Sequence, residues 1–485
     1  MNAADPTVVA AVHGALTQQA ALVAAVLAAI WLAVGARAWK RGRAGTVAAQ
    51  PGDPFRFVAE PDARRLLRLG FGALWVVDGA LQLQPAMALG LVPRVVQPAA
   101  AGSPGWLRHV VNLAVATWSY HPVTASSAVV WIEIGIGAGL IVSARGGLSR
   151  VLGILAACWA FVAWTLGEAL GGILGRGDTL LTGAPGPALL YALAGVLVAL
   201  PEPAWGSDRF VKGLVKALGA LCCSLALLQA WPGRGSWRGG TGLLGQMLRR
   251  NAATRQPQAV AALVRSFASF DTAHGWLVNL VVVGILLLVG TAFLSARIRV
   301  VAAGSILGAT FCLAVWLLLE DLGVFGGVST NPQGMLPLAL LLVGGAVALA
   351  PVWGPWGAIQ AVGSDPPLNN APAFRWGPGA LRQAGAVGAL AIVAVGAVPL
   401  GLATMNPHAS PLLNAAVNGP PTSLNAPAAG FTLEDQHGAP VSLSSLRGRV
   451  IALTFLDDVC TTDCPIIAQE FRTADSLLGT RANRV

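Results

Sequence analysis

Two cysteines near the C-terminus carry the clearest chemical spacing in the chain. Cys460 and Cys464 lie in VCTTDCP, between an apolar run and an amphipathic one. A helix N-terminus offers free amides and a positive dipole, which favour thiolate over thiol. Two thiolates so placed can converge on a soft ion such as Cu(I), or close as a disulfide. Asp457, Asp458 and Asp463 work against that field. A second set of chemical residues lies in long apolar stretches: Asp78 and Glu133 near span centres, Glu168 and Glu320 toward span ends. A carboxyl in hydrocarbon costs several kcal/mol unless it is protonated or hydrogen-bonded, so all four are candidates for proton relay. No Lys or Arg lies between Leu69 and Pro93, which leaves Asp78 to Gln82, Gln84 or another helix. Trp164 and Trp316 stand four residues before Glu168 and Glu320, on the same helix face. Each pair suits a quinone or proton site near the outer surface. It equally suits an interfacial Trp beside a Glu that caps loop amides or pairs with Arg176. Cys158, Cys222, Cys223 and Cys312 read as small apolar core residues, and His109, His121 and His274 lack the spacing of metal ligands.

The elements that must position these residues follow from composition. The 485 residues are 55% hydrophobic and only 11% charged, and the mean hydropathy is +0.67. Soluble domains are excluded, and an integral membrane protein is expected. The net charge of +10 sits mostly between apolar spans, with no basic patch interleaved with aromatics, so no nucleic-acid partner is expected. A crossing helix needs about 20 predominantly apolar residues. Ten stretches qualify, near 10–36, 66–88, 122–143, 148–172, 181–201, 213–231, 274–295, 298–320, 334–352 and 380–403. Arg37, Lys40, Arg41 and Arg43 follow the first span, which places the N-terminus outside. Alternation then gives a multi-pass cell-membrane protein with an extracytoplasmic tail, although the basic cluster from Arg234 to Arg265 falls on an outer loop.

The spans repeat. Trp164 and Glu168 recur as Trp316 and Glu320. Pro187, Gly195 and Pro201 recur as Pro337, Gly345 and Pro351, and Gln82 and Pro85 as Gln229 and Pro232. Two four-helix units in the same orientation are expected. Asp78 is matched by Leu225 and Glu133 by Ile285, so only the first unit keeps central acids. The first unit opens with RRLLRLGFGALWVVDGALQLQP and resembles the DoxX/DoxD-like membrane family over residues 60–351. That family includes quinone-reactive subunits of thiosulfate:quinone oxidoreductase, and the resemblance implies quinone as a substrate.

The tail changes character. Residues 405–430 are rich in Pro, Asn and Ala and read as a linker. In FTLEDQHGAPVSLSSLRGRVIALTF, Asp435 to Gly438 should turn between two short strands and Arg449 to Leu456 should form a third; Pro465 should open a helix. With VCTTDCP, this run looks like the start of the Sco/SenC family of thioredoxin-like copper chaperones, which assist copper-site assembly in cytochrome oxidase. The CxxxCP spacing separates that family from thioredoxins with CxxC. The resemblance implies that Cys460 and Cys464 bind copper and are the redox pair. The family's downstream His ligand has no counterpart, since the last His is His437. A thioredoxin-like fold needs on the order of 100 residues, more than 431–485 holds, so a truncated module is expected.

The expected architecture is therefore an all-α polytopic membrane protein with a C-terminal α/β thioredoxin-like segment. Its parts are 1–65 (first helix and loop), 66–201 and 202–352 (the repeats), 353–404 (loop and tenth helix), 405–430 (linker) and 431–485 (incomplete redoxin segment). Three functions are compatible with it. One is a membrane-anchored thiol-redox or copper-delivery protein serving a respiratory oxidase. Another is a quinone-linked membrane oxidoreductase in which Asp78 and Glu133 relay protons. The third is a transporter or scaffold with a vestigial tail.

Overall fold

A computed structural model describes residues 6–43, 60–84, 86–175, 179–253, 256–323, 330–353, 378–406, 408–410, 429–435, 437–454, 456 and 463–479. Two compact units divide the chain, 1–417 and 418–485.

The first unit is helical. Its helices are α1 (Pro6–Arg43), α2 (Asp62–Leu81), α3 (Met87–Leu91), α4 (Gln97–Ala101), α5 (Gly105–Tyr120), α6 (Pro122–Val142), α7 (Gly146–Val162), α8 (Pro187–Ala199), α9 (Asp208–Ala230), α10 (Leu243–Ala253), α11 (Gln258–Leu294), α12 (Ile298–Leu318), α13 (Met335–Trp353) and α14 (Pro378–Met405). Seven described helices are long and apolar enough to cross a membrane, and α8 and α13 are shorter apolar helices. These are the helices of a membrane protein. All ten apolar stretches are helical over most of their length, but the first six residues of 181–201 are the end of a 3-10 turn and a connection that reaches α8 at Pro187. Residues 89–121, expected as a loop, fold instead into the end of α3, α4 and α5 with a π-helical turn at Val92–Val96.

Local sequence explains several boundaries. Pro122 and Pro187 open α6 and α8, where a missing N–H costs nothing. The Ser207 hydroxyl caps α9 by accepting from the Phe210 N–H at 3.4 Å. His121 leaves helical geometry between α5 and α6, and His274 does the same inside α11. The matched φ of −131° at both gives the two halves of the chain the same break.

Close packing joins the helices in pairs: α2 on α6, α6 on α14, α7 on α8, α9 on α11 and α12 on α13. Glycine makes the α2–α6 approach possible, since a Cβ on Gly137 would lie 2.6 Å from the Gly72 carbonyl oxygen. Between membrane helices such contact replaces the hydrophobic drive that lipid removes.

Charge is used at one end of the bundle. Arg64 is fully buried and donates to Glu60 (2.8 Å), Ser149 Oγ (2.8 Å), and the Ala144 (2.9 Å) and Val198 (3.0 Å) carbonyls. Arg68 donates to both oxygens of Glu60 and to the Leu140 and Ile141 carbonyls. These guanidiniums satisfy carbonyls left free at the C-terminal ends of α6 and α8. Glu202 completes the cluster at 3.0 Å from Arg150. Burial works to raise its carboxyl, but its own backbone N–H, Arg150, the Gly146 N–H and Arg64 hold it down at about 2.

The second unit is small. Strands β1 (Thr432–Glu434) and β2 (Pro440–Ser442) pair antiparallel, with Leu433 opposite Val441. Asp435 Oδ1 accepts from the His437 and Ala439 N–H groups at 2.8 Å, and Gly438 supplies the left-handed residue at φ 77°. This is the turn that the sequence predicts. The third strand is a correction: the described residues 449–454 form no strand. A strand exists only through ladder partners, and β1 and β2 pair with each other alone among the described residues. Helix α15 (Asp463–Leu478) follows, with Pro465 in its first turn.

Candidate functional site

Inside the first unit lies a cavity of about 490 Å³. Helical periodicity explains how its walls are built. On α2, Trp75, Asp78 and Gln82 fall on one face; on α6, Ala125, Val129 and Glu133 do the same. Trp159 of α7, the π-helical turn Ala163–Gly167, Glu168, and Ala188 and Tyr191 of α8 close that side. Val92, Val95 and Val96 and the α5 residues Leu113, Ala114, Val115, Thr117 and Trp118 also line the cavity. Thr330, Asn331 and the α14 residues Leu400 and Thr404 complete it.

Three of the four acids that the sequence nominates meet here. Asp78 is 3% exposed and its Oδ1 accepts a 3.2 Å hydrogen bond from the Tyr191 hydroxyl. The partner expected on another helix is thus Tyr191, held edge-on to Phe71 (5.3 Å) and Trp75 (4.8 Å). Glu133 faces Trp159, yet neither Glu133 Oε2 nor the Trp159 indole N–H closes a hydrogen bond of good geometry. Gln82 Oε1 is also left without a partner. Buried polar atoms are ordinarily satisfied, and beside the facing pair Glu133 and Trp159 the cavity is lined by Gln82, whose Oε1 has no partner. A ligand with hydrogen-bonding atoms is what such a wall accommodates.

Glu168 has a second task. Both its oxygens accept from the Ala188 N–H (3.2 Å) at the start of α8, and the Trp164 indole donates to the Pro185 carbonyl at 2.7 Å. Glu320 repeats this, accepting from the Gly334 (3.1 Å) and Met335 (3.3 Å) N–H groups at the start of α13, while Trp316 donates to Pro332 at 3.0 Å. Both carboxylates therefore cap a helix N-terminus. Arg176, the alternative partner, lies outside the described residues. The two sites differ in surroundings, because Glu168 lines the cavity and Glu320 does not.

The matched positions in the second half carry no acids: Leu225 is buried and Ile285 packs against the core. Near them Gln229 accepts from the Leu181 N–H at 3.4 Å and donates to Asn279 Oδ1 at 2.7 Å, and a further buried acid, Asp271, lies on α11. The other cysteines behave largely as expected, with Cys222 and Cys312 buried; Cys158 is a correction, since it lies exposed on α7. His121 donates from Nε2 to the Asn406 carbonyl at 3.0 Å, which pins the end of α14. His109 is exposed on α5, and His274 stacks on Phe270. Among the described residues no group of three His, Cys, Asp or Glu could hold a metal. Cys460 lies outside the described residues, and Cys464 falls in the first turn of α15. In comparison with known proteins, no family model, curated protein or solved structure matches the chain.

Sequence reasoning missed Tyr191 and Trp159. The available signal was composition: the chain has two Tyr, and one sits in an otherwise aliphatic helix.

Proposed function

We propose that the chain is a quinone-linked membrane oxidoreductase whose first four-helix unit binds the quinone and moves its protons. The observation that carries this is the convergence of Asp78, Glu133, Glu168 and Tyr191 on one wall of a largely apolar cavity. A quinone has that polarity: carbonyl oxygens need donors, and the rest needs apolar contact. The matched Trp–Glu caps and the matched breaks at His121 and His274 support reading the bundle as two parallel repeats.

The electron donor in this reading is the Cys460/Cys464 pair. Two S–H bonds break and one S–S bond forms. The two electrons and two protons pass to the quinone, whose two carbonyl oxygens become hydroxyls. A charge is costly in hydrocarbon, so carboxyls there serve as proton carriers better than as fixed anions. In this reading Asp78 and Glu133 hold and pass on the protons of the quinone, and Tyr191, which donates to Asp78 at 3.2 Å, orients Asp78. A transporter would need a hydrated path, which the mostly apolar wall does not favour.

A second reading concerns the same cysteines. Cys464 lies in the first turn of α15, and two cysteines at this spacing suit Cu(I) capture and delivery to a respiratory oxidase. Turnover by the full chain in liposomes separates the two. Reduced protein given a benzoquinone should lose two thiols for each quinol formed. Cu(I) binding by the thiols without any quinone-dependent thiol loss would favour copper delivery.

A further inference from the structure

We propose that Gln82 anchors the ring of the ligand in this cavity, its side-chain amide holding one ring oxygen as a carbonyl before reduction and as a hydroxyl after it; this rests on the quinone reading above. The second repeat supplies the comparison that carries it. Gln82 and Gln229 hold matched places, each three residues before a proline and each at the end of a helix, α2 and α9. Both are buried, at 5% and 1% exposure. Gln229 is filled from within the protein, since its Oε1 accepts from the Leu181 N–H at 3.4 Å and its Nε2 donates to Asn279 Oδ1 at 2.7 Å. Gln82 is not. Its Oε1 is shielded without a partner, and its Nε2 donates to no described residue.

The two glutamines differ in one respect that explains this: Gln82 lines the cavity and Gln229 does not. Buried amides are ordinarily bonded, so what fills the cavity is the partner that Gln82 lacks. The partners of Gln229 show what that occupant must offer, because one is a donor and the other an acceptor. An amide meets either. The Nε2 group can donate to the carbonyl of a quinone, and Oε1 can accept from the hydroxyl of a quinol. No other polar neighbour combines these abilities without changing its own state. The Trp159 indole only donates, Asp78 Oδ1 is engaged by Tyr191, and the carboxyls gain and lose protons in the relay. Gln82 follows Asp78 by one helical turn, and its backbone N–H donates to the Asp78 carbonyl at 2.9 Å. Anchor and proton carrier therefore stand side by side on one face of α2.

The test uses the full chain in liposomes, its thiols alkylated so that no turnover occurs, with equilibrium affinity measured for tetramethyl-benzoquinone and, without oxygen, for its quinol. Wild-type protein should bind both. Gln82→Met keeps the length of the side chain and removes an amide to which no described residue bonds, so the unfolding temperature should hold. Both probes should bind about ten-fold more weakly. Gln229→Met should do the opposite, lowering the unfolding temperature by stripping the Leu181 N–H and Asn279 of their partner while both affinities stay. Unchanged affinities in Gln82→Met, weakening of one form alone, equal weakening in the two variants, or a Gln82→Met protein that does not fold overturns the anchor while leaving the quinone site standing. Failure of the wild-type protein to bind either probe overturns the quinone site itself, and the anchor with it.

Discussion

Asp78→Asn should lower quinone-dependent thiol oxidation about 100-fold or more, with little change in quinone affinity. The substitution is nearly isosteric, and the Asn oxygen can still accept from the Tyr191 hydroxyl at the 3.2 Å position. The hydrogen-bonded shape of the wall is kept, and the exchangeable carboxyl proton is lost. The effect should therefore fall on kcat, not on KM. A structural role for Asp78 predicts the reverse pattern: a lowered unfolding temperature with turnover per folded molecule intact. Wild-type kcat in this variant would remove Asp78 from the relay.

The matched capping acids give the second large effect, because they separate a site residue from a purely structural one. Glu168 and Glu320 hold equivalent places at the starts of α8 and α13, but only Glu168 also faces the cavity. Glu168→Gln keeps one accepting oxygen for the single Ala188 N–H, so its stability loss should be about 1 kcal/mol or less. Its turnover should fall about 100-fold, because a second proton carrier is gone. Glu320→Gln meets two donors, Gly334 and Met335, with one oxygen. Its loss should be about 1–2 kcal/mol in stability, with turnover per folded molecule unchanged. Thermal unfolding in detergent and initial rates in liposomes read the two quantities separately. Equal turnover in both variants would make Glu168 a cap and nothing more.

Much of the membrane unit could be read from periodicity, because long apolar runs have few stable solutions in lipid. All ten stretches are helical over most of their length, and the matched Trp and Glu positions lie in similar capped turns. The acids Asp78, Glu133 and Glu168 could be nominated from their cost in hydrocarbon. What could not be read was their convergence, which depends on how α2, α6, α7 and α8 are rotated against each other. Tyr191 belongs to that class, since a lone Tyr in an aliphatic helix looks like core until Asp78 is found beside it. The segment 89–121 misled for a different reason. Its Pro, Gly and polar residues suggest a loop, yet α5 forms as an amphipathic helix whose partner, the cavity, is visible only in three dimensions. In the tail, Asp435 and Gly438 specify their turn locally, whereas a strand at 449–456 requires partners that local sequence does not supply.

The central claim is that the cavity under α5 is a quinone site. Photolabelling tests it most directly: an azido-benzoquinone is illuminated with the full chain in liposomes, with and without excess unlabelled quinone, and the modified peptides are mapped. Labelling on the segments that carry Asp78, Leu113, Glu133 and Tyr191, removed by the competitor, is the predicted result. Competed labelling confined to other helices, or no competed labelling at all, would contradict it.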